Sequence, residues 1–319
     1  MTGTMSSRKR TLAITAAALT SALTAALTGC SSSDSGSGGG DPLKGDAGKS
    51  GTVVVGSNNF AESTLIADMY GEALKAKGVK VEYKNNIGSR ETTYGLIKNG
   101  TLTVMPEYNG ALLAYLDKKA TPKTVDETDK AVTDKLAPKL GLLEPSKAQD
   151  KDAVTVNAET AKKYHLTSDS TIADLADAAP DLVIGGSPEF QTRQQGVVGL
   201  KSVYGLQFKS FKALDAGGPL TVAALKGGNI QVGDVFTTDP SIQKNKFVAL
   251  QDPKNLFGFE NVVPLVYKPD LPKNAEAALN AVSAKLDTAT LLKLATEVQN
   301  QQKDPLDVAK AWLSSQHLV

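Results

Sequence analysis

Four segments of the sequence share one plan, in which a short apolar strand runs into a loop of polar and aromatic residues. They are TVVVGSNNFAES from Thr52, LTVMPEYNGA from Leu102, LVIGGSPEFQTR from Leu182 and IQVGDVFTTDPS from Ile230. Runs such as Val53 to Val55 do not alternate with polar residues, which is typical of parallel strands covered on both faces. Helical patterns separate the segments, so we expect an α/β fold whose four strand tips can share one site.

One helical pattern, STLIADMYGEALKAKG, carries an apolar stripe on one face and predicts a helix that Gly78 stops. Asn59 and Glu62 precede or begin this helix with the spacing of a capping box. We therefore expect their side chains to close the first helical turn.

Residues 1–29 have the pattern of a signal peptide, because the basic residues Arg8 to Arg10 precede an uncharged run rich in Ala, Thr and Leu. The run is about 18 residues long, the lower limit for a spanning helix, so a permanent membrane anchor is the alternative. It ends in LTGC, which resembles the bacterial lipobox. Cys30 is the only cysteine of the chain, and we expect it to be lipidated rather than to remain a free thiol.

Residues 30–50 contain almost no apolar side chains and predict a flexible tether after the lipidated cysteine. The protein is then expected on the extracytoplasmic face of a bacterial cell membrane. Removal of residues 1–29 deletes three basic residues from a chain of formal net charge +1, leaving about −2, which gives no support to nucleic-acid binding.

The rest of the chain is long enough for two cores of ordinary domain size. A charged loop, EPSKAQDKD, precedes a new strand-helix pattern, and a last apolar strand follows QDPKNLFGFE. We therefore expect lobe I to comprise residues 51–152 and 259–319, and lobe II residues 153–258. A hinged cleft between two such lobes is where small ligands are usually enclosed.

A series of motifs runs along the chain in this order: GSNNFAES, NNIGSRETTYGLIKNG, PEYNGALLAYL, AETAKKYHL, IADLA, GGSPEFQTRQQGVVGLKSVYGLQF, VFTTDPSI and LFGFENVVPLVYK. In this combination they resemble the substrate-binding proteins of osmoprotectant ABC importers, which take glycine betaine, carnitine, choline or proline betaine. The resemblance implies a two-lobed class II periplasmic-binding-protein fold that closes over its ligand. It also implies a monomer without cofactors that works with an ABC permease and its ATPase subunits.

A betaine ligand implies an aromatic cage, because a trimethylammonium group has no N–H to donate and is attracted to the faces of aromatic rings. By motif position, the resemblance makes Tyr108 of PEYNG and Phe236 of VFTTD cage members. Phe60, Phe190 and Tyr94 are further candidates, each with a core position as the alternative. Several relatives have tyrosine where this chain has Phe236, which implies a looser cage or a different preferred solute.

For a ligand carboxylate, Arg193 of PEFQTR is the first choice because a guanidinium offers a bidentate fork; the alternative is a surface position. Arg90 is expected instead to pair with a carboxylate such as Glu91 or Glu107. The remaining candidates share a place at a strand end, where hydroxyl, amide or backbone N–H groups can face a ligand. They are Ser57, Asn59, Thr237 and Thr238.

An enzyme is disfavoured, because two isolated histidines and one lipidated cysteine do not form a usual zinc site or a nucleophile with its base. Neither a Gly-x-Ser-x-Gly elbow nor a P-loop is present in the sequence. Two binding alternatives stay open. One is a lipid-anchored solute-sensing receptor, and the other is a cleft for an amino acid whose free ammonium pairs with Glu107, Asp234 or Asp239.

Overall fold

Two five-stranded sheets organise residues 51–319, the part of the chain that the computed structural model describes. The predicted signal peptide, the lipidation at Cys30 and the tether lie outside these residues. The strands are β1 Thr52–Gly56, β2 Lys80–Lys84, β3 Val104–Tyr108, β4 Leu140–Leu142, β5 Asp152–Val156, β6 Val183–Gly186, β7 Ser210–Ala213, β8 Val232–Phe236, β9 Val248–Ala249 and β10 Val262–Tyr267.

Helices cover both sheets. They are α1 Ala61–Ala76, α2 Arg90–Lys98, α3 Asn109–Leu116, α4 Val125–Lys135, α5 Ala158–Lys163, α6 Val197–Tyr204, α7 Pro219–Lys226, α8 Ser241–Lys244, α9 Ala275–Lys285, α10 Thr288–Gln299 and α11 Pro305–Ser315. Short 3-10 turns occupy Ile172–Leu175, Ala179–Asp181, Pro188–Gln191 and Lys268–Asp270. Within residues 51–319, no helix combines the length and the apolar character that crossing a bilayer requires.

The strand order is β2-β1-β3-β10-β4 in the first sheet and β7-β6-β8-β5-β9 in the second. In the first, β1 runs parallel to β2 and β3, and in the second, β6 runs parallel to β7 and β8. The strands β10 and β5 enter antiparallel. The predicted α/β class with two lobes is confirmed, and the parallel strands carry the four tips.

Both faces of the first sheet are buried, which explains the uninterrupted apolar run in β1. Val53 and Val55 face a core built with α1, α9 and α11, whereas Val54 faces the opposite core. Two further cores enclose the second sheet. This double cover is the arrangement in which strands lose their polar alternation.

Two chain segments connect the sheets, and they run side by side. The chain leaves after β4, enters the second sheet at β5, and returns through the residues before β10. Gln149 and Asn261 form an antiparallel bridge, and the Asp150 N–H donates to the Glu260 carbonyl at 3.1 Å. Paired segments of this kind form a natural hinge.

The strand β3 continues through the Pro-Glu-Tyr sequence and ends at Tyr108, although a proline usually weakens a sheet interior. Its bridge to β1 joins only Val104 and Val55, so Pro106 lies beyond that bridge and pairs with Pro264 of β10 on the other side. The strand β3 therefore extends past the end of β1 and carries Tyr108 to the tip of the sheet.

The helix α1 ends as predicted, since Gly78 follows it with a φ of 78°. The capping-box prediction is wrong. Phe60 occupies the N-cap position without a side-chain hydrogen bond, and the buried Glu62 carboxylate accepts hydrogen bonds from Tyr108 and Thr238 instead. The Glu62 side chain is thus used by residues at the ends of β3 and β8 and not by the N-terminus of its own helix.

Candidate ligand site between the lobes

A cavity of about 260 Å³ lies where the tips of the two sheets face each other. Asn58 to Phe60 follow β1 and Tyr108 ends β3, while Ser187 to Glu189 follow β6 and Phe236 ends β8. Its volume is close to the lower end of the range for small-molecule sites, roughly 300 Å³, which suits a compact solute.

Three aromatic side chains form a continuous wall of this cavity, which we call the aromatic wall: Phe60, Tyr108 and Phe236. The ring centroids of Phe60 and Phe236 are 5.1 Å apart, and those of Phe60 and Tyr108 are 6.0 Å apart. The wall joins both lobes, because Phe236 belongs to the second sheet and the other two residues to the first. A cation held against it would therefore contact both lobes.

The Tyr108 hydroxyl is already engaged inside the protein. The side chain is 4% exposed, and its hydroxyl donates to Glu62 Oε1 at 2.7 Å. Burial and the charge of Glu62 raise the pKa of Tyr108 well above its ordinary value. The hydrogen bond fixes the ring, so Tyr108 offers the cavity an aromatic surface rather than a free donor.

The two arginines at the cavity each have a carboxylate partner. Arg90 donates through Nε to both Glu107 oxygens, at 3.1 and 3.0 Å, and Glu107 is fully buried. Arg193 donates through Nε and Nη2 to the two Glu91 oxygens, at 3.1 and 2.8 Å. Burial raises the pKa of Glu91, but the bond and charge of Arg193 more than compensate and lower it to about 2.

The Arg193–Glu91 pair joins the lobes, since Arg193 follows the strand β6 of the second sheet and Glu91 lies in α2 beside the first. Arg193 was predicted to bind a ligand carboxylate. It lines the cavity, but its fork is occupied by Glu91, which makes it an interlobe clamp in this structure.

Several carboxylates line the cavity, and we call three of them the acidic wall: Asp152, Asp234 and Glu260. Burial is the largest cause that raises the pKa of each. The charge of Asp152 raises the pKa values of both Asp234 and Glu260 further. Within residues 51–319, none of the three forms a salt bridge with a lysine or arginine.

Two further buried carboxylates, Glu62 and Asp150, lie beside the end of β8, and Asp150 also lines the cavity. Glu62 accepts from the Thr238 hydroxyl, and Asp150 accepts from the Thr238 N–H at 2.9 Å and from the Thr237 hydroxyl at 3.2 Å. Burial raises the pKa values of Glu62 and Asp150. These bonds tie the end of β8 to α1 and to the crossing segment.

Phe60, Tyr108, Phe236, Arg193 and Asn59 are thus the predicted ligand residues that line the cavity. A larger, adjoining cavity of about 740 Å³ is bordered by Asn59, Phe60 and Phe236 as well, and also by the predicted residue Thr238. The structure brings these residues together from strand ends far apart in the chain, as the pattern of four tips predicts.

The other predicted residues take structural positions, which corrects their assignment to the cavity. Phe190 lies in a core of the second sheet and Tyr94 in a core of the first, where its ring is 5.3 Å from that of Tyr115. The Ser57 hydroxyl accepts from the Asn86 N–H at 2.7 Å, and Thr237 bonds Asp150. Each of these four side chains is thus held by partners inside the protein.

Sequence reasoning missed the acidic wall as a unit. The sequence suggests Asp234 only as a partner for a free ammonium, Asp152 only as the end of the charged loop EPSKAQDKD, and Glu260 only as part of the motif LFGFENVVPLVYK. The signal available was their position at the predicted chain crossings, where two lobes must approach. Among the described residues, no group of three or more His, Cys, Asp and Glu side chains is arranged to hold a metal ion.

Comparison with known proteins places this geometry in context. Residues 51–315 match the family model described as the substrate-binding domain of ABC-type glycine betaine transport systems. A glycine-betaine-binding protein of Pseudomonas aeruginosa is 27% identical over 285 residues, covering 84% of this chain and 89% of the relative. A glycine betaine-binding protein of Escherichia coli is 25% identical, covering 82% and 89%.

A solved structure described as a glycine betaine/carnitine/choline ABC transporter shares the fold with a TM-score of 0.65. It is 25% identical, and the match covers 83% of this chain and 99% of that one. The sequence, the fold and the cavity therefore agree on one class of protein.

Proposed function

Because the chain belongs to the family of substrate-binding domains of ABC-type glycine betaine transport systems, we propose that it captures a quaternary-ammonium osmoprotectant in the cavity between its lobes. The solute is glycine betaine, carnitine or choline, and the closed protein delivers it to the permease of an ABC importer. Members of the family are transport proteins rather than enzymes.

The aromatic wall carries this proposal. A quaternary ammonium ion has a positive charge and an apolar surface, and the faces of Phe60, Tyr108 and Phe236 match both. Each desolvated cation-π contact contributes about 1 to 2 kcal/mol, so three faces supply a large part of the roughly 8 kcal/mol of micromolar binding.

Closure follows from residues of both lobes. Binding brings Phe236 and Phe60 onto one cation, and the Arg193–Glu91 pair then holds the cleft shut. A permease that recognises only the closed form would thereby distinguish loaded from empty protein. We further propose that lobe I comprises residues 51–152 and 259–319, and lobe II residues 153–258.

The protein works as a monomer on the extracytoplasmic face of the membrane, held by a lipid on Cys30 through the tether. Lipidation is supported by the LTGC motif after an uncharged run and by the absence of any other cysteine in the sequence. Mass spectrometry of the membrane fraction tests it, since Cys30→Ala should release unlipidated protein.

Calorimetric titration of the purified protein with glycine betaine, carnitine, choline, proline betaine, proline and glycine tests the ligand class. We expect methylated cations to bind and Phe236→Ala to weaken them about tenfold, the loss of one ring face. Phe211→Ala, which removes a partly buried ring elsewhere in the second sheet, is the matched control. Binding of primary amines alone would contradict the proposal.

One observation favours a second candidate, an amino acid with a free ammonium. Asp234 Oδ1 is buried and has no hydrogen-bond partner among the described residues, as an ammonium acceptor would before its ligand binds. The other two carboxylates of that alternative are engaged, because Glu107 binds Arg90 and Asp239 accepts from the Ser241 N–H at 2.7 Å. The same titration series distinguishes the two.

A further inference from the structure

We infer that the preferred solute is a hydroxyalkyl quaternary ammonium ion, a monocation with a hydrogen-bond donor and no carboxylate, of which choline is the simplest. This inference rests on the proposed function and names the solute class of the same cavity. Its consequence is selection against glycine betaine, the zwitterion from which the family takes its name.

The first step is the state of the cavity's two positive groups. Glu107 and Glu91 already neutralise Arg90 and Arg193, through two hydrogen bonds each. A ligand carboxylate would have to compete with the fully buried Glu107 or displace the interlobe partner Glu91. The charge of each arginine is therefore already balanced by a carboxylate of the protein, so neither brings an unpaired positive charge to a ligand anion.

The second step is the excess of carboxylates over arginines in the cavity. Beyond the two partners of the arginines, the acidic wall adds three carboxylates to the lining, and within residues 51–319 none of them has a lysine or arginine within salt-bridge distance. Buried carboxylates in this position either retain protons or receive a positive ligand. A monocation supplies the missing charge, whereas a zwitterion adds a further carboxylate beside three others.

The third step is an acceptor without a donor. Asp234 is 2% exposed, lines the cavity, and has its Oδ1 unpartnered. Its place depends on Gly186, because a Cβ there would lie 2.9 Å from the Asp234 Cβ. A ligand hydroxyl that donates to this oxygen satisfies a buried acceptor, which a carboxylate or an ether oxygen does not do.

The two walls together favour a quaternary ion over a primary ammonium. The only oxygen among the side chains of the aromatic wall is the Tyr108 hydroxyl, and it is already hydrogen-bonded to Glu62. A primary ammonium carries three N–H donors and would leave those facing the rings without partners, while a trimethylammonium group has none to satisfy. The hydroxyl that donates to Asp234 then lies at the end of the solute opposite its trimethylammonium group.

Calorimetric titrations at pH 7.5 with three solutes separate the effect of a ligand carboxylate from that of a ligand hydroxyl. The solutes are choline, glycine betaine, and the O-methyl ether of choline, which lacks the hydroxyl donor. We expect choline to bind about tenfold or more tightly than either of the others. Asp234→Asn should weaken choline about tenfold while glycine betaine changes by less than threefold, so that the preference collapses. Glu260→Gln, which removes another carboxyl group of the acidic wall, should also lower the ratio of the choline affinity to the glycine betaine affinity.

Asp169→Asn is the matched control, an exposed carboxylate in a loop outside the cavity, and it should preserve the preference. Thermal melting of each variant confirms that it is folded. Equal or tighter binding of glycine betaine by the unaltered protein overturns the inference and leaves the proposed function intact, as does a preference that Asp234→Asn and Glu260→Gln leave unchanged. Failure of every quaternary ion to bind overturns the proposed function and this inference with it.

Discussion

The position of the Phe236 ring in the aromatic wall depends on the backbone of Gly217, against which it packs. Gly217 has a φ of 63°, and a Cβ at that position would lie 3.0 Å from Phe236 Cδ2. Glycine therefore serves two purposes here: it adopts a left-handed conformation at little cost, and it lets the ring lie flat against the chain.

Gly217→Ala should lower the affinity for the solute severalfold and the unfolding free energy by about 1 kcal/mol. Gly228→Ala separates the two effects, because Gly228 has a φ of 69° but open space where its Cβ would be. We expect similar losses of stability in chemical denaturation, with the loss of affinity confined to Gly217→Ala. Equal affinities in both variants would contradict the packing of Gly217 against Phe236.

Asp68 is a buried carboxyl away from the cavity, in the helix α1. Its Oδ1 accepts from Asn85 Nδ2 at 2.8 Å, and burial raises its pKa from 3.8 to about 6. A folded-state pKa above the unfolded value means that the stabilisation belongs to the protonated form and is lost as the pH rises from about 4 through about 6.

Asp68→Asn keeps an acceptor for Asn85 and removes that loss, so it should be more stable than the unaltered protein at pH 8, by up to about 3 kcal/mol. At pH 4 the two proteins should have nearly equal stability. Urea denaturation at both pH values measures the difference, and the exposed Asp177→Asn provides a control that should show none. A variant less stable at pH 8 would refute the raised pKa.

At the scale of elements, the interlobe contacts connect α2 to the loop after β6, and α1 to the end of β8. The Arg193–Glu91 pair is partly exposed, with side chains 29% and 41% accessible, so its contribution is about 1 kcal/mol or less. That is enough to change a closing equilibrium without threatening the fold of either lobe.

Glu91→Gln should therefore weaken solute binding two- to fivefold, mainly through faster dissociation, because the closed form loses its clamp. Stopped-flow release of the solute measures this rate, and the effect should shrink at high salt. The exposed Lys130–Asp134 pair within α4 supplies the control, since Asp134→Asn removes an ion pair that does not join the lobes. An unchanged dissociation rate in Glu91→Gln would contradict the clamp.

Local pattern predicted the elements well and their junctions less well. The apolar run of β1, the stripe of α1 and its stop at Gly78 are encoded within a few residues, and they form as expected. Glu62 is different, because its use as an acceptor for Tyr108 and Thr238 depends on residues 46 and 176 positions away. No local capping signal contains that information.

The site was predictable to the level of the strand tips. The position after each parallel strand placed Phe60, Tyr108 and Phe236 near one another, and they form the aromatic wall. The pattern did not decide which residues face the cavity, so Phe190 of a strand tip and Tyr94 of the helix α2 entered the prediction although they pack in cores. The acidic wall needed the pairing of the two crossings, which only the folded chain shows.

At the scale of the whole molecule, the buried carboxylates make stability depend on pH. Burial raises the pKa values of Asp150, Asp234 and Glu260 in the folded state. The folded protein therefore binds more protons than the unfolded chain above about pH 4, and its unfolding free energy should fall as the pH rises through the raised pKa values.

We expect the urea midpoint of the solute-free protein to be higher at pH 5 than at pH 8. Asp234→Asn should reduce this difference, because it removes one of the groups that hold a proton only in the folded state. A midpoint that rises between pH 5 and pH 8 would show that these carboxylates are ionised and otherwise compensated.

The most direct test of the account is a crystal structure of the protein with choline bound. The account predicts the choline nitrogen between the lobes, within about 6 Å of the ring centroids of Phe60, Tyr108 and Phe236. The hydroxyl should donate to Asp234. A nitrogen outside the reach of these rings, for example in the adjoining cavity that Thr238 lines, would contradict the central claim that the aromatic wall recognises the cation.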